Sequence, residues 1–293
     1  MRRPHRHRDR AGGGTGHASP LPEITVPSGS LVAVPIQHRQ DVAAGQFEVK
    51  LINDGPDGFV ISALQFRWDG LTSDQVSGAP VAVGQRIDLP LPLPDASCRV
   101  DGGVETMPDI ADATVQLTLD DGTQRTVPVF DRDRVARSLY LRDCERQAID
   151  DAIWLRWEDL HPVEVEGRPV TEGTLRLTRR AATGEVVVQT IGSSVIVALQ
   201  PVGVDSGAPV LRLGATDDEA SVQVRFTEAR CDAHAVAETS QPFLFVAQVE
   251  PGDGFLHPYV VAPDPTLDAE LRETHAAGCE ALDELHPLDE PAG

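Results

Sequence analysis

Along most of this chain apolar residues recur at every second position, in short runs bounded by Gly, Pro, Asp and Asn. Leu89, Leu91 and Leu93 form one such run, and Val222, Val224 and Phe226 form another. Val115, Leu117 and Leu119 make a third, with Phe243, Phe245 and Ala247 as a fourth. A period of two sends alternate side chains to opposite faces, so each run predicts an antiparallel strand with one face buried. Asp121-Gly122 and Asp253-Gly254 each follow an apolar run and predict hairpin turns, because glycine takes the positive φ that a tight turn needs. Two stretches depart from this period. Val135–Leu141 and Leu267–Ala277 have partly helical spacing and predict short helices. Ala152 to Trp157 alternates as a strand does, although Ile149, Ile153, Trp157 and Leu160 also fit one helical face; the strand is the preferred reading.

The runs occur twice in the same order. The cysteines are Cys98, Cys144, Cys231 and Cys279, so the first two lie 46 apart, the last two 48 apart, and the pairs are offset by 133 and 135. Gly45, Phe47 and Val49 match Gly173, Leu175 and Leu177 at an offset of 128. Each is followed by a polar turn, Asn53-Asp54-Gly55 or Ala182-Thr183-Gly184, and then by a second strand, Phe59–Ile61 or Val186–Val188. Both second cysteines precede a glutamate, Glu145 and Glu280. The chain therefore reads as two copies of one unit of roughly 130 residues. About seven short strands per unit make an all-β protein of two tandem antiparallel β-sandwich domains.

Composition adds the ends and the compartment. The net charge is −21, which argues against nucleic acid as a partner, since phosphate binding needs a basic face. No apolar run approaches the ~18–20 residues of a membrane-spanning helix. Residues 1–20 hold five Arg against one Asp and predict a disordered Arg-rich leader without the apolar stretch of an export signal. Residues 284–293 predict an acidic tail. Between them lie the expected first sandwich, 21–148, and second sandwich, 149–283.

The cysteine arithmetic has three readings. One disulfide per unit, Cys98–Cys144 and Cys231–Cys279, accounts for both units and implies an oxidising, extracytoplasmic location. Four buried reduced thiols are the second, and would fit a cytoplasmic protein. The third is a structural zinc site in the second unit from Cys231, His234, His275 and Cys279, whose spacings suit zinc. Asp101 and Tyr140 stand at the matching histidine positions of the first unit, so zinc would leave its cysteines unexplained. His5 and His7 in the leader form only a loose pair.

Catalytic signatures are missing: no G-x-S-x-G, no H-E-x-x-H and no glycine-rich loop between strand and helix. Asp150, Asp151 and Glu158 are candidate Ca²⁺ ligands near the junction, and Asp217-Asp218-Glu219 reads as a solvated turn. Trp154 and Trp157 would face opposite sides of a strand and so make no single sugar platform; both read as core or interface residues. His161 and His257, each before a proline, read as loop residues.

The stretch from Phe47 to Ile61 resembles the second-and-third-strand hairpin of immunoglobulin-like and fibronectin-like modules. Over residues 21–283 the chain resembles an uncharacterised family of exported proteins from high-GC bacteria, built as tandem sandwiches with paired cysteines. That resemblance implies an envelope location and carries no catalytic residues. The Cys-Trp-Cys order of antibody domains is absent, since Trp68 precedes Cys98. The expectation is a non-enzymatic envelope or extracellular binding or scaffold protein, with no cofactor and with an envelope protein or glycan as partner. Its contacts are sought in the segments 99–112 and 201–220. The competing readings are a metal-handling or hydrolytic enzyme with its site at the junction around Trp154–His161, and a cytosolic acidic interaction protein.

Overall fold

The computed structural model of the chain describes residues 29–101, 104–232, 239 and 241–285. The leader 1–20, His234 and residues 286–293 of the expected tail lie outside them. In chain order the first half holds β1 (Leu31–Ile36), helix α1 (Arg39–Ala44), β2 (Gln46–Asn53) and β3 (Phe59–Trp68). Three two-residue strands follow, β4 (Leu71–Thr72), β5 (Val76–Ser77) and β6 (Pro80–Val81), then β7 (Arg86–Pro92) and the ribbon β8 (Val100–Asp101) and β9 (Val104–Glu105). It ends with β10 (Thr114–Leu119), β11 (Gln124–Pro128) and helix α2 (Val135–Ala152). The second half runs β12 (Ile153–Val165), β13 (Arg168–Arg179), β14 (Val186–Ile191), β15 (Val197–Pro201) and β16 (Leu211–Leu213). It closes with β17 (Glu219–Glu228), β18 (Val246–Glu250), β19 (His257–Val260) and helix α3 (Pro265–Leu285).

The protein is an all-β sandwich fold. In the first half the sheet β1-β2-β7 faces the sheet β11-β10-β3-β4, with β5 and β6 also paired to β3. In the second half β12-β13-β17-β15 faces β16-β14-β18-β19. The strands within these sheets pair antiparallel, and the alternation of the sequence becomes burial on one face: Val115, Leu117 and Leu119 of β10 are buried and the residues between them are not. Phe47, Val49 and Leu51 meet Leu64, Phe66, Leu91, Val115 and Leu117 in one core. Leu175, Leu177, Val188, Phe226, Phe245 and Val249 fill another. In the second, Trp157 packs edge-on against Phe226 and Phe245 with ring centroids 5.2 and 5.6 Å away. Both Asp-Gly turns fall at hairpin ends, with Gly122 at φ 83° and Gly254 at φ 82°.

One detail of the correspondence shifts. Counting from the cysteines aligns Leu89 with Val222, but Phe47 of β2 sits opposite Leu91 whereas Leu175 of β13 sits opposite Val222. The second half therefore spends two more residues between this strand and its cysteine. A slip of two keeps every side chain on its own face, so the apolar pattern could not register it.

Both helices are longer than their spacing suggests. Asp131 accepts hydrogen bonds from the backbone N–H of Ala136 (3.0 Å) and Arg137 (3.2 Å) and caps α2. Arg146 then pairs with Asp143 and Asp150 at helical spacing and carries α2 past Leu141. α3 begins on Pro265, where a missing N–H costs nothing, and Asp264 caps it through the Leu267 N–H at 2.8 Å. α2 runs straight into β12. Its one face, Ala136, Leu139, Tyr140 and Cys144, belongs to the first core, while Ile149 belongs to the second. His161 and His257 lie in β12 and β19, not in loops.

Candidate functional site

Two covalent links and one cleft concentrate the chemistry of this chain. Cys98 is bonded to Cys144 and Cys231 to Cys279. Each disulfide ties the segment after β7 or β17 to the middle of a helix, α2 or α3. Four residues before each helical cysteine, one polar ring reaches the same segment. Tyr140 is fully buried; its hydroxyl accepts from the Arg99 N–H and donates to the Thr106 carbonyl, both at 3.3 Å, and its ring lies 5.4 Å from that of Trp68. His275, 9% exposed, places Nε2 2.8 Å from the Arg230 carbonyl, which only an Nε2–H can satisfy. The donor atoms of Cys231, His275 and Cys279 lie within 4.8 Å of one another. With both sulfurs in a disulfide and the ring nitrogen facing a carbonyl, this cluster is a packed staple in the structure described, and His234 falls outside the described residues.

The two segments expected to carry contacts are held down from below. Arg99, Thr106 and Asp109 bond to Tyr140 and to Trp68 Nε1. The segment 201–220 is gripped by Arg179, whose guanidinium donates to the carbonyls of Asp217 and Gly214.

The cleft forms where α2 passes the β18–β19 hairpin. Leu141, Glu145, Ala148 and Ile149 recur at helical spacing on one side, and Pro251, Asp253 and His257 close the other, around about 350 Å³. His257 Nδ1 lies 2.7 Å from Glu145 Oε1 and its Nε2 2.7 Å from Asp253 Oδ2. Partial burial opposes charge on the ring, but the hydrogen bonds to Glu145 and Asp253 outweigh it and hold the imidazole above its ordinary value. Burial likewise opposes the charge of Asp253, yet the Phe255 N–H and His257 keep its carboxyl below the usual range. A ring that donates from both nitrogens is an imidazolium clamp and offers no free lone pair to act as a base. Beside it the Tyr259 hydroxyl donates to Asp150 at 2.6 Å, and burial and that carboxylate push its ionisation up. Phe255 and Leu256 at the hairpin tip are exposed.

The junction residues named from sequence do not converge. Asp150 serves Arg146 and Tyr259, whereas Glu158 is held by Arg156 and Arg176. Trp157 is core, with its Nε1–H donating to Val261 O at 3.1 Å. Trp154 corrects the expectation: it is 52% exposed, and the Arg156 guanidinium stacks 3.7 Å above its ring. Glu145, Asp253 and His257 share no motif or spacing that marks them as a set in the sequence. The repeated Cys-Glu pair and the Asp-Gly turn single out Glu145 and Asp253 in the sequence, but a helix ending at Leu141 puts Glu145 on no element and so gives it no neighbour.

No family model matches the chain, and no curated protein matches it. Among solved structures it is similar to a protein of unknown function from Porphyromonas gingivalis W83, at 10% identity over 79% of this chain and 97% of that one, with a TM-score of 0.19. It is also similar to the B domain of a biofilm associated protein, at 8% identity over 80% of this chain and 85% of that one, TM-score 0.23. The BSP domain of a biofilm associated protein matches at 8% identity over 85% of this chain and 61% of that one, TM-score 0.23. Among the described residues no helix is long and apolar enough to cross a membrane.

Proposed function

We propose that the chain is a non-enzymatic extracytoplasmic scaffold or binding protein made of two immunoglobulin-like modules, 21–148 and 149–283, that arose as a tandem repeat. The observation that carries this reading is the matched pair of disulfides. Each closes a loop of 46 or 48 residues and anchors the helix at the end of its module, a device that holds only where thiols stay oxidised. The strand order β1-β2-β7 against β11-β10-β3 is that of the A-B-E and G-F-C strands of immunoglobulin-type sandwiches, and β12-β13-β17 against β19-β18-β14 repeats it. Because α2 enters β12 without a linker and the His257 clamp bridges it to the second hairpin, the two modules form a spacer with a short joint. Such a spacer suits an envelope protein or glycan partner at its loops and sheet faces.

Alkylation of protein purified from cells that make it naturally, without reductant and followed by intact mass, tests the proposal. Four protected cysteines that label only after reduction are the expected result. Four labelled thiols without reductant overturn the extracytoplasmic reading.

A further inference from the structure

A second cluster of side chains, which includes no cysteine, has the chemistry of a metal site. His38 stands at the start of α1, Glu48 on β2 and Asp88 on β7, and one donor atom from each lies within 4.8 Å of the other two. His38 Nε2 is 3.7 Å from Glu48 Oε2. Zinc bonds of about 2.0–2.2 Å set the donors of a tetrahedron roughly 3.4 Å apart, so a small rotation of these side chains closes three corners around one ion.

The surroundings favour a cation independently of that geometry. Asp41 is fully buried beside the cluster, yet its carboxylate meets only neutral donors, the His38 backbone N–H at 2.6 Å and Gln46 Nε2 at 3.1 Å. No basic side chain forms an ion pair with it among the described residues. Lys50 reaches Asp88 at 3.6 Å, and among the described residues no Lys or Arg side chain forms an ion pair with Asp41 or Glu48. A buried carboxylate without a counter-charge is costly, and a divalent ion over Glu48 would offset the excess. The Asp41 bond to the His38 backbone also fixes the residue that brings the one nitrogen donor.

We propose that His38, Glu48 and Asp88 bind one divalent metal ion of the zinc class, with water completing its coordination and Asp41 acting as a positioning residue. One nitrogen and two carboxylates suit zinc better than calcium, which needs six to eight oxygens. The proposal does not depend on the function inferred above.

Zinc titration by calorimetry on the full-length, disulfide-bonded chain tests it, in a His5→Ala/His7→Ala background that removes the leader pair. One equivalent of Zn²⁺ is expected. Affinity falls at least about tenfold in His38→Ala, an exposed position that leaves the fold intact, and in Glu48→Gln/Asp88→Asn. Asp41→Asn weakens binding by about 10–100-fold while every ligand remains. His275→Ala leaves affinity unchanged. No zinc binding in this background, unchanged affinity in His38→Ala, loss in His275→Ala instead, or Ca²⁺ binding as tightly as Zn²⁺ would each overturn the proposal.

Discussion

The two halves share a strand order and a staple but anchor their helices differently. In the first, Tyr140 does the work: one fully buried hydroxyl satisfies two backbone groups of the segment after β7, and its ring lies against Trp68. In the second, the matching position is His275, which satisfies one carbonyl, and a buried Thr171–Thr274 hydroxyl pair adds a second hold on β13. The first core relies on Phe47 against Phe66, the second on a three-ring cluster of Trp157, Phe226 and Phe245. The comparison shows what is interchangeable. Two different polar rings, Tyr140 and His275, seat the helix at matching positions, whereas the covalent link recurs in the same place. It also shows what is not shared: α2 packs on both cores, so it is also the joint between the halves.

The largest expected effects are in the cores. Phe226→Ala removes the ring that touches both Trp157 and Phe245 and costs about 3–5 kcal/mol. In calorimetry it lowers the transition of the second half and leaves the first unchanged. Phe66→Ala should do the converse. If either variant lowers both transitions equally, the halves unfold as one unit and the comparison fails.

Removing one disulfide comes next. The loops of 46 and 48 residues predict nearly equal losses, about 3–4 kcal/mol each for Cys98→Ala/Cys144→Ala and Cys231→Ala/Cys279→Ala. Because α2 also holds the joint, loss of the first link should additionally expose the His257 hairpin to proteolysis, and loss of the second should not. Equal protease sensitivity at that hairpin would remove the special role of α2.

Tyr140→Phe is smaller. It removes the partner of the Arg99 N–H and the Thr106 carbonyl in a partly buried setting and costs about 0.5–1.5 kcal/mol, confined to the first half and read by denaturant unfolding.

The His257 clamp has the smallest effect, within about 1 kcal/mol, as expected for a partly exposed ion pair. Its pH dependence has a definite sign. The folded value of His257 is raised, so its contribution is complete below the ordinary histidine value and fades as pH rises through the raised one. The melting temperature of the wild type should therefore fall over that interval relative to His257→Gln. Parallel curves for the two proteins would show that the clamp carries no net stability.

Features that depend on near neighbours are legible in the residues alone. Alternation at Val115, Leu117 and Leu119 settles which face is buried, since a strand's side chains reverse at every residue. Asp121-Gly122 and Asp253-Gly254 settle two turns, since few residues other than glycine accept that backbone. The tertiary structure decided what needs the chain to fold back. A two-residue slip of β17 is invisible to a period-two pattern. The length of α2 depends on a second core that accepts Ile149, and the exposure of Trp154 on what fails to cover it. Glu145 and His257 are 112 residues apart, while His38, Glu48 and Asp88 come from a helix start and two strands. Long-range convergence of this kind is set by sheet register and helix position, which no short window of residues contains.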